Sequence, residues 1–221
     1  MKLLLLVSAG ILLATTAQAQ FGVRVGANYT MLAKQDTPSS YLYPKGDVGY
    51  QVGVFYERKL AGRFSLISEV QFSQQQLDAE VIRFNFPVED YHAQYQLKLS
   101  YLTVPVVLRT QLGKFYLEAG PQASFLLAAR EEGKEETLSY LSSYIGPDNT
   151  TYFDRSATAD FRRFDIGLCA GAGVKLPAGF AIGLRYSAGF VSITQEAQAN
   201  AYGGSLKNQV AQASVSYQLG E

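Results

Sequence analysis

The sequence predicts an all-β protein: an eight-stranded antiparallel up-and-down transmembrane β-barrel, with short turns at one end and long loops at the other. Three observations predict it. Residues 164–190 alternate between lipid-compatible and small or polar side chains over two strands, six further segments can be read as strands, and the connections between them alternate in length. In the first run Phe164, Ile166, Leu168, Ala170, Ala172, Val174 and Leu176 share one parity, and Asp165, Gly167, Cys169, Gly171, Gly173 and Lys175 the other. After Pro177-Ala178-Gly179 the pattern resumes, with Phe180, Ile182, Leu184, Tyr186, Ala188 and Phe190 against Ala181, Gly183, Arg185, Ser187 and Gly189. A period of two is a strand with two faces. A soluble sheet would place Lys, Glu and Thr opposite its apolar face. Glycine with isolated charges suits instead the cramped interior of a small closed barrel whose outside meets lipid.

The chain begins with Lys2, an apolar run from Leu3 to Ala14 and the small-residue site Ala17-Gln18-Ala19. This pattern predicts a secretory signal peptide over 1–19, cleaved after Ala19, and a single barrel domain over 20–221. The run is too short to span a bilayer, and no other stretch holds 18 consecutive apolar residues. The first strand is placed at Phe21–Thr30, with Phe21, Val23, Val25, Ala27 and Tyr29 opposite Gly22, Arg24, Gly26 and Asn28. The second is Val48–Glu57 and the third Phe64–Gln74. The fourth, about 94–110, is irregular. Tyr95, Leu97, Leu99 and Tyr101 have one parity and Leu102, Val104, Val106 and Leu108 the other, which predicts a β-bulge or a membrane exit near Tyr101-Leu102, beside Pro105. The fifth runs from Phe115 to about Ala128, the sixth and seventh are about 161–176 and 179–193, and the eighth is about 207–219.

Three connections are short: Leu60–Arg63, Leu112–Lys114 and Pro177–Gly179, each with a glycine. The other four, about 31–47, 75–93, 129–160 and 194–206, are longer and polar. Strict alternation of this kind belongs to membrane barrels, with tight periplasmic turns and long outer loops, whereas a Greek-key sandwich would break the order. The charged patch Glu131-Glu132-Gly133-Lys134-Glu135-Glu136 is read as solvated loop.

Taking the apolar parity as lipid-facing, the inward set includes Arg24, Glu57, Glu69, Gln71, Glu118, Gln122, Asp165 and Arg185. A lipid-facing Arg at mid-strand would cost about 2–4 kcal/mol, so these charges belong inside. Enclosed together they should pair, because an isolated buried charge is far more costly. The expected lumen network is Arg24 and Arg185 against Glu69, Glu118 and Asp165. An eight-stranded interior is just filled by side chains, so the network is read as structural rather than as part of an open pore.

Other chemistry finds little support. The chain has 19 basic and 19 acidic residues, which gives no electrostatic reason to expect nucleic acid. The lone Cys169 cannot form an intrachain disulfide, and His92 is the only histidine, in an expected outer loop. There is no Ser–His or Cys–His arrangement to assign, no metal-ligand cluster and no phosphate or dinucleotide fingerprint, so no catalytic, metal or cofactor residue is expected. Two other readings are a soluble exported barrel that binds a lipophilic ligand, and a barrel enzyme acting on membrane lipids. The first needs the large apolar parity inside, and the second would have to use His92.

Several segments resemble a known group. These are Phe21-Gly22-Val23-Arg24-Val25-Gly26-Ala27-Asn28, Ser68-Glu69-Val70-Gln71-Phe72-Ser73-Gln74, Tyr101-Leu102-Thr103-Val104-Pro105-Val106-Val107-Leu108-Arg109 and Phe115-Tyr116-Leu117-Glu118-Ala119-Gly120-Pro121. Phe164-Asp165-Ile166-Gly167 and Gly171-Ala172-Gly173 follow in order. Together they are similar to the PorT-like outer-membrane β-barrel proteins common in Bacteroidota. The resemblance implies an outer-membrane location, a small barrel, a proline in the fourth strand, and outer-membrane lipids and envelope or secretion-machinery proteins as partners. It implies an activity poorly, because a fold is not a function. Such barrels often end on an aromatic residue; here Tyr217 stands four residues before the last.

Overall fold

The computed structural model describes residues 19–36, 41–85, 89–139, 149–195 and 204–219. The expected leader, 1–19, lies outside them except for Ala19. The described residues form β1 (Ala19–Asp36), β2 (Tyr41–Lys59), β3 (Phe64–Asn85), β4 (Glu89–Leu112), β5 (Phe115–Ser139), β6 (Asn149–Ser156), β7 (Phe164–Lys175), β8 (Phe180–Ser192) and β9 (Gly204–Gln218). Eight of these close a ring in which each strand is antiparallel to the next: β1, β2, β3, β4, β5, β7, β8, β9 and back to β1. The closing ladder runs from Gly22–Gln218 to Asp36–Gly204. The ring is the expected eight-stranded barrel. β6 stands outside it, paired only to the far half of β5 from Arg130–Ser156 to Thr137–Asn149.

The three short connections are tight turns at one end, where Gly62, Gly113 and Gly179 have positive φ. At Gly62 and Gly113 a Cβ would meet nothing, so the left-handed backbone alone requires glycine there. At the other end the strands run further than alternation predicts. Most of 31–47, 75–93 and 129–160 is strand rather than loop, and β6 lies within the last of these. β3 alone has 22 residues, about 70 Å of strand, whereas the lipid-facing band of a barrel is about 25 Å tall. The Glu131–Glu136 patch is strand too, paired on one side with β4 and on the other with β6.

The extra length was hidden because the two faces exchange chemistry along the strand. In β3 the outward residues are Phe64, Leu66, Val70 and Phe72 near the tight turns, then Gln74, Gln76 and Asp78 beyond them. The inward residues change the opposite way, from Glu69, Gln71 and Ser73 to Leu77 and Ala79. The same boundary crosses β4, where outward Gln96 and Lys98 give way to Leu102, Val104, Val106 and Leu108, and the register pairs Phe72 with Leu102 and Gln74 with Ser100.

The irregularity expected near Tyr101-Leu102 is present, as a register shift in the β4–β5 ladder and as the edge of the apolar band, but the strand keeps its facing. β4 does not turn over at Tyr101-Leu102: Leu97, Leu99, Tyr101, Thr103, Val107 and Arg109 are all buried on one face. What changes there is the surroundings, from water to an apolar band. The bulge lies on the partner strand, where Leu127 is the extra residue between Ser100–Ala128 and Tyr101–Leu126. Pro105, which has no N–H to donate, sits where the β3–β4 ladder steps from Ser68–Val106 to Gln71–Thr103.

The interior is therefore layered. Leu77, Ala79, Leu97, Leu99, Tyr101, Leu126, Ala129, Phe161, Ile193 and Leu206 form an apolar plug in the half away from the tight turns. Polar and charged side chains dominate the other half, packed around a small cluster of Phe55, Ile67, Val107 and Cys169. Replacing outward, 66%-exposed Leu184 by Arg should destabilise the barrel by about 2–4 kcal/mol in urea unfolding from vesicles. Gln96→Arg, beyond the band, should stay within about 0.5 kcal/mol.

Candidate functional site

Parity in the turn-side half of the ring aims six buried charges at one another. Arg24 comes from β1, Glu57 from β2, Glu69 from β3, Arg109 from β4, Glu118 from β5 and Arg185 from β8, and none is more than 5% exposed. Glu118 is the centre. Arg185 Nε and Nη2 donate to its Oε1 at 3.0 and 2.7 Å, and Arg109 Nε and Nη2 donate to its Oε2 at 3.1 and 2.7 Å. One carboxylate is thus held by two guanidiniums, each directing two charge-assisted N–H bonds at a single oxygen.

The cluster extends from there. Arg185 Nη1 donates to Glu69 Oε2 at 3.1 Å, and Arg24 Nη1 lies 3.4 Å from the same oxygen and 3.7 Å from Glu118 Oε1. Arg109 Nη1 donates to Glu57 Oε2 at 3.3 Å, Gln218 Nε2 to the same oxygen at 3.1 Å, and Lys175 Nζ lies 3.8 Å from Glu57 Oε1. Aromatic rings bound the cluster: Arg109 Cζ is 4.0 Å from the Tyr116 ring centroid and Arg24 Cζ 5.5 Å from that of Phe55. Three guanidiniums against three carboxylates leave the core of the cluster neutral.

Local sequence makes this packing feasible. Gly171 pairs with Glu118 on one side and Arg185 on the other, so Arg185 reaches Glu118 across β7 over a residue with no side chain. A Cβ at Gly171 would stand 3.3 Å from the Arg185 Cβ. Further along, Asn28 Nδ2 donates to Ser73 Oγ at 3.1 Å, Gln71 Nε2 to Gln51 Oε1 at 3.0 Å and Asn208 Nδ2 to Gln75 Oε1 at 2.8 Å. Amides and hydroxyls thus separate the charges from the apolar plug.

Of the five residues expected in the network, the structure brings together Arg24, Glu69, Glu118 and Arg185. Asp165 stands apart. It is buried on the inward face but pairs with Ser124, six residues along β7 from Gly171, about 20 Å of strand. Its Oδ1 accepts from the backbone N–H of Val191 at 3.3 Å. Parity assigns a face and says nothing of height, and height removes Asp165. Arg109 takes a place that sequence reasoning missed. Its signal was the parity it shares with Thr103 and Val107, obscured by the expected switch at Tyr101.

His92 lies near the far end of β4, where its Nε2 is 2.6 Å from Glu80 Oε1. Hydrogen bonds from His92 and, at 3.4 Å, Gln94 hold the Glu80 carboxyl below the usual carboxylate range. Cys169 is buried, and its Sγ donates to the Gly120 carbonyl at 3.5 Å. Among the described residues no three His, Cys, Asp or Glu side chains are grouped to hold a metal ion.

The family described as outer membrane protein beta-barrel domain matches residues 15–195. The chain belongs to this outer membrane β-barrel family. No curated protein sequence matches it. Among solved structures it is similar to Ail of Yersinia pestis in complex with the heparin analogue sucrose octasulfate, at 11% identity and TM-score 0.44, covering 91% of this chain and 99% of that one. It is also similar to Neisserial surface protein A, at 10% identity and TM-score 0.44, covering 90% and 97%. OprG from Pseudomonas aeruginosa is similar at 10% identity and TM-score 0.41, covering 93% and 98%. Family membership gives the outward apolar band its solvent: it is the wall that meets outer-membrane lipid.

Glu118→Gln should be among the most destabilising single substitutions, by about 3–5 kcal/mol, because Arg109 and Arg185 lose their shared charge. Asp165→Asn keeps an acceptor for Val191 and should cost about 1 kcal/mol or less; urea unfolding of the refolded barrels separates the two. A depressed carboxylate stabilises the fold above the ordinary glutamate value of about 4.3 and loses that contribution as pH falls through its own lower midpoint. An NMR titration should therefore place the Glu80 midpoint below that of an ordinary glutamate, and His92→Ala should move it back up.

Proposed function

We propose that this protein is a non-enzymatic integral outer-membrane barrel whose lumen is closed and whose business is conducted on its outer strands rather than through its middle. The observation that carries the reading is the layered interior: a neutral cluster of three arginines and three glutamates on the turn side, an amide layer, and an apolar plug beyond. An eight-stranded barrel is just wide enough for side chains to fill, which leaves no continuous path past such layers. Export with cleavage after Ala19, a periplasmic position for the tight turns, kinship with the PorT-like group and a role alongside envelope or secretion machinery belong to the same proposal. The elongated hairpins of β3, β4, β5 and β6 support it, since they raise a wide polar sheet above the band for a surface partner.

The lipocalin-like reading is disfavoured by polarity, because the apolar parity faces outward through the whole turn-side half. Among the described residues the lipid-modifying enzyme reading has no constellation behind it: His92 faces Glu80 at the far end, while Cys169 is buried.

Fractionation with heat-modifiable gel mobility and planar-bilayer recording tests the proposal. The mature protein should begin at Gln20, sediment with outer membranes, migrate differently before and after boiling, and give no stable conductance. Recovery in the soluble periplasm, or a steady open-channel current from the wild-type protein, would sink it.

A further inference from the structure

At the tight-turn end lie Arg58, Lys59, Arg63, Lys114 and Lys175, while the segments 58–66, 110–117, 173–183 and 213–219 that build this rim hold no Asp or Glu. Backbone hydrogen bonds set the basic turns side by side. The Gln111 N–H donates to the Arg63 carbonyl at 2.9 Å, joining the β2–β3 turn to the β4–β5 hairpin, and the Lys175 N–H donates to the Lys114 carbonyl at 2.8 Å, joining that hairpin to β7. Lys175 leans toward buried Glu57. Arg58, Lys59, Arg63 and Lys114 are exposed and make no ion pair with any described carboxylate. The opposite end differs: there Lys98 meets Glu132 at 3.0 Å, Arg130 meets Asp154 at 2.6 Å and Lys134 meets Glu136 at 2.9 Å.

We propose that this arc is a docking surface for the phosphate headgroups of anionic phospholipids in the leaflet that surrounds the tight turns. Like charges gathered on neighbouring turns repel one another, and among the described residues Glu57, which Lys175 approaches, has no counterpart paired with Arg58, Lys59, Arg63 or Lys114. The height of the arc selects lipid over a soluble anion. Leu60, Phe64, Leu66, Leu112 and Phe115 are exposed on the outward wall immediately beside it, so the cations emerge where acyl chains end and headgroups begin. Long Lys and Arg side chains reach such headgroups while their stems stay on apolar surface. The inference rests on the lipid-facing reading of the band.

The test uses the full mature chain refolded in phosphatidylcholine bilayers, with spin-labelled phosphatidylglycerol or spin-labelled phosphatidylcholine as the reporter of boundary lipid. Phosphatidylglycerol should associate several-fold more strongly than phosphatidylcholine, and the preference should fade as salt is raised. The combined Arg58→Gln, Lys59→Gln, Arg63→Gln and Lys114→Gln variant should lose it. Lys59→Gln with Arg63→Gln alone, confined to one turn, should lose part of it, and Lys98→Gln with Lys134→Gln at the other end should retain it. Equal association of the two lipids with the wild-type protein overturns the proposal, as does a preference that survives neutralisation of the arc or falls equally in the far-end control. A normal heat-modifiable shift without lipid preference overturns the arc alone. Absence of that shift overturns the membrane reading and the arc together.

Discussion

Hydrocarbon offers no hydrogen bonds, and the architecture follows from that. A sheet edge left open in lipid would expose unpaired N–H and C=O groups at several kcal/mol each. β1 and β9, at opposite ends of the chain, therefore close the ring along the whole band. Tight turns sit at the rim, where water can reach them. Charged side chains on these strands have one direction in which to point, and the ring brings them face to face. The Glu118 carboxylate between Arg109 and Arg185 is the result: groups excluded from the outside become each other's solvent.

The same constraint ends where the band ends. Above Phe72 and Leu102 the outside is water, and the strands return to the polarity of a soluble sheet, with Leu77, Leu97 and Leu99 inside and Gln76, Gln96 and Lys98 outside. The protein thus joins two sheets of opposite polarity without a break in the ladder. Its lumen passes from ionic to amide to apolar along one axis, and each layer is filled in a different way. Salt bridges pair most of the charges and amides bond to one another, although Arg24 Nε and Nη2, Glu69 Oε1, Asn28 Oδ1, Gln51 Nε2 and Asn208 Oδ1 have no partner among the described residues, and the plug has nothing to offer water. A buried ion cluster of this sort is weak grounds for high stability, but it does fix which faces of the strands meet.

Strand identity and facing were legible wherever lipid lies on one side. At the tight-turn end, strand starts and ends inferred from alternation lie within a few residues of the observed ones at Phe64, Phe115, Lys175 and Phe180. The reading weakened at the far end because the contrast it uses reverses sign there. Tyr95, Leu97, Leu99 and Tyr101 looked like a face switch, and Glu131–Glu136 looked like loop, although both are strand in water. Arg109 was overlooked for the first of these reasons. Asp165 was over-assigned because strand period carries no coordinate along the barrel axis.

By itself the sequence determined the all-β class, the closed eight-stranded plan, the tight turns and the inward facing of the charges. All of these depend on local period and on the large penalty for charge in lipid. Only the tertiary structure decided which charges meet, that β6 adds a ninth strand, that an apolar plug caps the lumen, and that the basic turns form one continuous arc. Those features depend on register and stagger between strands far apart in the chain, and cross-strand hydrogen bonding sets them with no counterpart in any local pattern.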